Sequence, residues 1–215
     1  MKSKVKKLQI TCDGGAATGK TTGAKMIAKY YNLKFMSSGL LYRYATYLLL
    51  KHKPTNRIFF LRKKFSNLNY KKLKKLNLHT PQISENSAII AKVLAIRKIL
   101  KNYQLKFVNK YKNCVIEGRD SGTKVLPSSN VKFFFVCSPM IAAKRRFKEL
   151  KRKNPKINFK SVKKALKLRN LADTTRKHSK LTMHKTSVVV DTGIYNSKQK
   201  MLNKMIKHVE KVLNS

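Results

Sequence analysis

Gly14-Gly15-Ala16-Ala17-Thr18-Gly19-Lys20-Thr21 is the stretch whose reading decides the fold. It fits the pattern G-x-x-x-x-G-K-[ST]. Glycines and alanines let backbone N–H groups come close to phosphate oxygens, and a helix that follows adds its positive end. In such a loop the lysine reaches the outer phosphates and the threonine hydroxyl helps hold Mg2+. Context decides whether the match is real. Here Leu8-Gln9-Ile10-Thr11-Cys12 reads as a strand before it, and Ala24, Ile27, Ala28 and Tyr31 recur at helical spacing after it. The chain is therefore expected to bind a nucleoside triphosphate through Gly14, Gly15, Ala16, Ala17, Thr18, Gly19, Lys20, Thr21 and Thr22. Lys20 is the catalytic cation of this set, and Thr21 the metal ligand, partly through water.

Further strands are predicted at Lys34–Met36, Asn113–Ile116, Val131–Val136 and Ser187–Val190. Two of them, Asn113–Ile116 and Val131–Val136, are apolar without alternation, as strands buried on both faces of a parallel sheet are. Helical spacing marks Leu40–Leu50, one long helix opened by Pro81 and Ser84 and continuing through Ile96 and Leu100, a basic helix after Pro139, Phe159–Leu171 and Lys198–Leu213. Strands alternating with helices predict an α/β fold with a five-stranded, mainly parallel sheet flanked by helices. Residues 55–80 resist reading: they are rich in lysine, with leucines at 68, 73, 76 and 78.

The 215 residues carry 51 Lys+Arg against 8 Asp+Glu, a net charge of +43, and 42% of them are hydrophobic. That is enough apolar side chain for a core, so a disordered basic tail is excluded. No apolar run approaches the roughly 20 residues of a membrane helix, and the basic start Met1–Lys7 lacks the apolar core of a signal peptide. Cys12, Cys114 and Cys137 lie in or beside apolar stretches without metal-ligand spacing, which suits buried thiols. A soluble, cytoplasmic monomer is expected. The lysines run from Lys2 to Lys211 and read best as solvated helix faces. They allow weak, non-specific binding of polyanions but imply no obligatory nucleic-acid partner.

The few acids are more telling. Each of the four aspartates, Asp13, Asp120, Asp173 and Asp191, stands beside a distinctive motif. Arg169, Asp173 and Arg176 lie at i, i+4 and i+7, one face of a helix. Glu117-Gly118-Arg119-Asp120-Ser121-Gly122-Thr123 precedes the strand Lys132–Val136, and Ser37-Ser38-Gly39-Leu40-Leu41-Tyr42-Arg43 follows the second strand.

Together with Asp13-Gly14 ahead of the phosphate loop, with Pro81-Gln82-Ile83-Ser84 and Ile96-Arg97, and with Val190-Asp191-Thr192, these segments resemble the bacterial cytidylate kinases, P-loop nucleoside monophosphate kinases. They occur in that family's order over nearly the whole chain. The resemblance implies one P-loop domain over 1–215, with a shortened nucleotide-binding insertion about 54–110 and a small lid about 152–160. It implies transfer of a phosphoryl group from ATP, with Mg2+, to CMP and dCMP. Arg43, Arg119 and Arg176 would then hold the acceptor phosphate, Arg97 and Asp120 the cytosine, and Arg169 and Asp173 the sugar, with Ser38 and Tyr42 beside them. A carboxylate suits cytosine because it accepts from the exocyclic amino group, and arginines suit phosphate because the guanidinium fork binds two oxygens. Arg119 and Arg176 join Lys20 as catalytic cations, and Arg145 and Arg146 are candidates at the lid.

The chain departs from the family at Ser37 and Asn170, where the family has Asp, and at Ala88, where a serine would contact the base. The loss at position 88 bears on discrimination between CMP and UMP. Two rival readings stay open: another small-molecule or nucleotide kinase on this fold, acting for example on UMP, and a basic, nucleic-acid-associated P-loop ATPase.

Overall fold

The computed structural model describes residues 7–152 and 154–214. Residues 1–6, which hold most of the basic start, and Lys153, in the stretch expected to be the lid, lie outside the described residues.

The chain divides into two compact units, one made of Met1–Met36 with Lys112–Ser215 and the other of Ser37–Tyr111. The first is built on a five-stranded parallel sheet of order β2-β3-β1-β4-β5, with β1 Gln9–Gly14, β2 Lys34–Ser37, β3 Cys114–Glu117, β4 Val131–Val136 and β5 Val188–Asp191. All five expected strands are present, within one or two residues of the expected ends. Every residue of β1 is buried. On one face Ile10 and Cys12 join Val115, Phe133 and Phe135, and helices α1 (Lys20–Tyr30) and α8 (Lys198–Leu213) cover them with Ala24, Ile27, Met201, Leu202, Met205 and Val209. Burying side chains such as Phe133, Phe135, Ile10 and Ile27 completely contributes on the order of 1.5–3 kcal/mol each. The odd-numbered side chains of β1 are polar yet buried. Thr11 Oγ1 meets Ser129 Oγ at 3.2 Å, and Asp13 takes two backbone N–H groups described below.

Helices α6 (Pro139–Lys151) and α7 (Phe159–Thr175) pack together through Ala143, Val162 and Leu166, and Ala16 of the glycine-rich loop is buried in the same cluster. Local chemistry fixes their starts. Ser138 accepts from the Ile141 N–H with Pro139 in the first turn, and Asn158 accepts from the Lys160 N–H. A short π-turn, Ser121–Val125, lies between β3 and β4.

The second unit is helical: α2 Ser38–His52, α3 Arg57–Ser66, a 3-10 turn Tyr70–Lys75, α4 Pro81–Ile90 and α5 Leu94–Lys110. The stretch 55–80, which resists reading from the sequence, holds α3 and the 3-10 turn: Asn56 caps α3, Asn69 caps the 3-10 turn, and Leu61, Phe65, Leu73 and Leu78 are buried. One expectation is corrected: the long helix from Ser84 through Leu100 is two helices. The chain turns at residues 91–93, and Arg97 Nη1 donates at 2.9 Å to the Ala91 carbonyl released there. Among the described residues no helix is long and apolar enough to cross a membrane.

Candidate active site

The glycine-rich loop joins β1 to α1 and takes positive φ at three residues. Gly14 has φ +149°, Ala17 φ +59°, and Gly19, the N-cap of α1, φ +84°. Gly14 is obligatory for space as well, since a Cβ there would stand 2.3 Å from the Phe135 carbonyl oxygen of the neighbouring strand. The non-glycine at left-handed φ, Ala17, is the strain expected where a loop is shaped for a ligand.

Lys20 opens α1, only 5% exposed. Its Nζ donates to the Gly15 carbonyl at 2.8 Å and lies 3.7 Å from Glu117 Oε1 at the end of β3. Burial pushes its ammonium down to about 7; the positive fields of Arg119 and Arg169 add to this, while Glu117 and Asp173 oppose it. Cations from three elements thus feel one another at the loop. Thr18 Oγ1 also donates to the Gly15 carbonyl, at 3.0 Å. Thr21 is exposed on the first turn of α1, and Thr22 is half-buried behind it.

Asp13 does not reach the loop itself. Its two carboxylate oxygens accept from the N–H groups of Ser121 (2.8 Å) and Gly122 (2.7 Å), which clamps the π-turn behind Gly118-Arg119-Asp120. Burial raises its carboxyl to about 6 even against those two bonds. Asp120 is buried at the start of that turn.

Arg119, Asp173 and Arg176 form one cluster. Asp173 accepts from Arg119 Nε at 2.8 Å and from Arg176 Nη1 at 3.0 Å. Burial would raise the Asp173 carboxyl, but Arg119 and then Arg176 outweigh it and hold the group below the usual range. One detail of the helical spacing is corrected: Arg176 is the first residue past α7 and has extended ψ of 143°. It returns to Asp173 because Nε donates to the Ser179 carbonyl at 2.6 Å. Arg169 is half-buried, one turn before Asp173.

The two candidates on α6 part company. Arg145 donates through Nη1 to Thr192 Oγ1 at 2.7 Å and through Nη2 to the Thr192 carbonyl at 2.8 Å. Thr192 Oγ1 in turn donates to the Thr18 carbonyl at 2.8 Å, so Arg145 is tied to the loop through Thr192. Arg146 pairs instead with Glu149 on its own helix, at 2.8 Å. A cavity of about 700 Å³ opens beside the loop, lined by Gly19, Thr22, Arg145, Thr192, Tyr195 and Lys198 among others.

In the helical unit Ser38 Oγ donates to Gln104 Oε1 at 2.7 Å, and the Arg97 guanidinium sits 5.5 Å from the centre of the Tyr42 ring. Arg43 is buried, its Nη1 donating to Ser84 Oγ at 2.7 Å and to the Leu78 carbonyl at 3.1 Å. Ala88 is half-buried on α4; the neighbouring Ser87 spends its hydroxyl on the Ser84 carbonyl, and Asn86 Nδ2 donates to the Gln82 carbonyl.

Sequence reasoning gave no role to the side chains of Asn170, Thr192 and Glu117. Asn170 Oδ1 accepts from the Ala16 N–H at 2.9 Å. Each of the three acts on the loop from far along the chain, which no local pattern announces. The only signal was that all three stood inside or at the edge of a quoted motif.

The cytidylate kinase family profile matches residues 10–211. A cytidylate kinase of Clostridium tetani is 33% identical over 95% of this chain and 94% of its own. One of Clostridium botulinum is 35% identical over 86% and 90%, and one of Fusobacterium nucleatum 34% over 94% and 97%. Among solved structures, shikimate kinase from Bacteroides thetaiotaomicron shares the fold at 11% identity, covering 97% of this chain and 99% of that one, with a TM-score of 0.53. An uncharacterized protein from Eubacterium ventriosum does so at 15% identity, covering 94% and 98%, with a TM-score of 0.54. With a loop built for phosphates, a clustered set of arginines behind it and relatives matched from end to end, the chain belongs to the cytidylate kinase family.

Proposed function

We propose that this enzyme transfers the γ-phosphoryl group of ATP to CMP and dCMP, releasing ADP with CDP or dCDP. The observation that carries the reading is the arrangement at the loop: α7, whose Asn170 bonds the loop at Ala16, also carries Asp173, which gathers Arg119 and Arg176, and beyond the effect of burial the fields of Arg119 and Arg169 reach Lys20. Donor and acceptor cations therefore share one electrostatic site.

In this reading the N–H groups of Gly14–Thr22 and the end of α1 cradle the phosphates of ATP, and the cavity beside Gly19, Thr22, Arg145 and Tyr195 takes its nucleoside. In the sheet unit Arg119 and Arg176 hold the acceptor phosphate, Asp120 reads the cytosine amino group, and Arg169 and Asp173 face the sugar. In the helical unit the acceptor groups are Ser38, Tyr42, Arg43 and Arg97. An oxygen of the acceptor phosphate attacks the γ-phosphorus in line; the new P–O bond forms as the bond to the β-phosphate oxygen breaks. Charge spreads over the equatorial oxygens, so positioning and fixed cations supply the catalysis, and no protein nucleophile is required. Lys20, Arg119 and Arg176 are those cations. The residues fit Mg2+ in the way kinases hold it. Thr21 is an exposed hydroxyl at the right turn, and among the described residues no cluster of three His, Cys, Asp or Glu competes for a metal. When bound, the ion would neutralise charge on the ATP phosphates. The reading includes a monomer in the cytoplasm, where the free thiols Cys12, Cys114 and Cys137 are at home.

The test is ADP release coupled to a reporter, with CMP, dCMP, UMP and AMP as acceptors. CMP and dCMP should turn over fastest. Preference for AMP, or no turnover with any of the four by folded protein supplied with Mg2+, would overturn the proposal.

A further inference from the structure

One peptide group of the phosphate loop is held at both ends. The N–H of the Gly15–Ala16 peptide donates to Asn170 Oδ1 at 2.9 Å. Its carbonyl accepts from Lys20 Nζ at 2.8 Å and from Thr18 Oγ1 at 3.0 Å. The two ends are not independent. A peptide whose N–H is engaged is polarised and accepts more strongly at its oxygen, and turning the plane to free the N–H would swing the oxygen away from Lys20. The approach of α7 that makes this contact brings it to van der Waals distance of the loop. A Cβ on Gly15 would stand 3.4 Å from Asn170 Oδ1, and Ala16 is buried against Val162 and Leu166 of α7. Asn170 follows Arg169 and lies three residues before Asp173, which grips Arg119 and Arg176.

We propose that Asn170 is a positioning residue for Lys20: its side-chain oxygen orients the Gly15–Ala16 peptide, and that peptide sets the resting place of the lysine. The helix that carries Arg169 and Asp173 thereby controls the cation that receives ATP. Loading of the acceptor on α7 and binding of ATP at the loop are linked through one hydrogen bond. Only the acceptor half of this rests on the function proposed above; the ATP half stands on the loop alone.

The experiment compares the full chain with Asn170→Ala, Asn170→Leu and Asn170→Asp. Leucine keeps the volume and removes the acceptor, whereas aspartate keeps an oxygen at the same reach. A fluorescent ATP analogue is titrated with and without saturating CMP, and kcat and both KM values are measured at a temperature where every variant is folded. Without CMP, Ala and Leu should bind the analogue about tenfold more weakly, and Asp within about threefold of the parent. CMP should change the parent's affinity for the analogue, and that change should vanish in Ala and Leu. kcat and KM for ATP should move, and CMP affinity measured with the analogue bound should shift by the same factor by which CMP changed the parent's affinity for the analogue. Wild-type affinity in Leu would overturn the proposal, as would equal losses in Leu and Asp, or a CMP effect that is absent from the parent or survives in Leu. If the parent binds the analogue yet phosphorylates none of the monophosphates, the acceptor reading fails and the titration without CMP still judges Asn170.

Discussion

Replacing Asp173 by asparagine would keep the shape of the side chain and remove the charge that two arginines share. Asp173 is 9% exposed and accepts from Arg119 Nε at 2.8 Å and Arg176 Nη1 at 3.0 Å. At such distances, with an effective dielectric of about 20, each attraction is roughly 5 kcal/mol before the cost of desolvation is subtracted. Removing one member of a buried pair and stranding its partners costs about 3–5 kcal/mol. In a chain of this length 1 kcal/mol moves the melting midpoint by about 2–4 °C, so Asp173→Asn should melt roughly 10 °C lower at pH 7. The sign with pH follows from the lowered carboxyl. A group whose folded pKa lies below its unfolded one stabilises the fold above the ordinary carboxylate range, and that contribution fades as pH falls through the lowered value. The gap between parent and variant should therefore be widest near neutrality and narrow on acidification. Melts followed by circular dichroism at several pH values, with turnover measured well below both midpoints, would check it. A gap of less than about 2 °C at neutral pH, or one of constant width down to pH 3, would refute the account of the cluster.

Three other outcomes are expected. Because the buried Lys20 ammonium is pushed down to about 7 and must be charged to meet phosphate, kcat/KM for ATP should fall as pH rises above about 7; a profile flat to pH 9, or activity in a folded Lys20→Ala variant, would remove Lys20 from the mechanism. Gly14→Ala places a Cβ 2.3 Å from a backbone oxygen that cannot move without parting β1 from β4, so soluble yield or melting temperature should drop by the equivalent of about 3 kcal/mol or more. On the proposed reading Ala88→Ser adds a hydroxyl beside the cytosine, and the ratio of kcat/KM for CMP over UMP should rise by roughly tenfold, within the 1–3 kcal/mol of a good base contact.

What could be read from the sequence divides along a physical line. β3 and β4 are legible because their apolar residues follow one another without alternation, at 114–116 and 133–136, in the middle of the sheet, and the phosphate loop because small residues must recur at fixed spacing. The break between α4 and α5 was invisible because the apolar periodicity runs straight through residues 91–93 with no glycine or proline to interrupt it, and Val93 heads α5 without a side-chain cap. Around residues 55–80 the caps at Asn56 and Asn69 were present in the sequence, but abundant lysine hid the short apolar stripe between them. At the site the resemblance named the arginines, while the side chains that arrange the loop stayed hidden. Asn170 meets Ala16 across 154 residues, Thr192 meets Thr18 across 174, and Asp13 reaches Ser121 across 108. Such contacts are products of the finished topology.

The distribution of carboxylates has a practical corollary. Asp13, Glu117, Asp173 and Asp191 each anchor a particular N–H group, ammonium or guanidinium, whereas many lysines of α1, α7 and α8 stand in solvent. An engineer wishing to discharge this protein could exchange exterior lysines such as Lys25, Lys163, Lys204 and Lys211 for glutamate, since all four are exposed and none is among the residues proposed to hold a substrate. These four acids are the fixed points around which any such redesign has to be drawn.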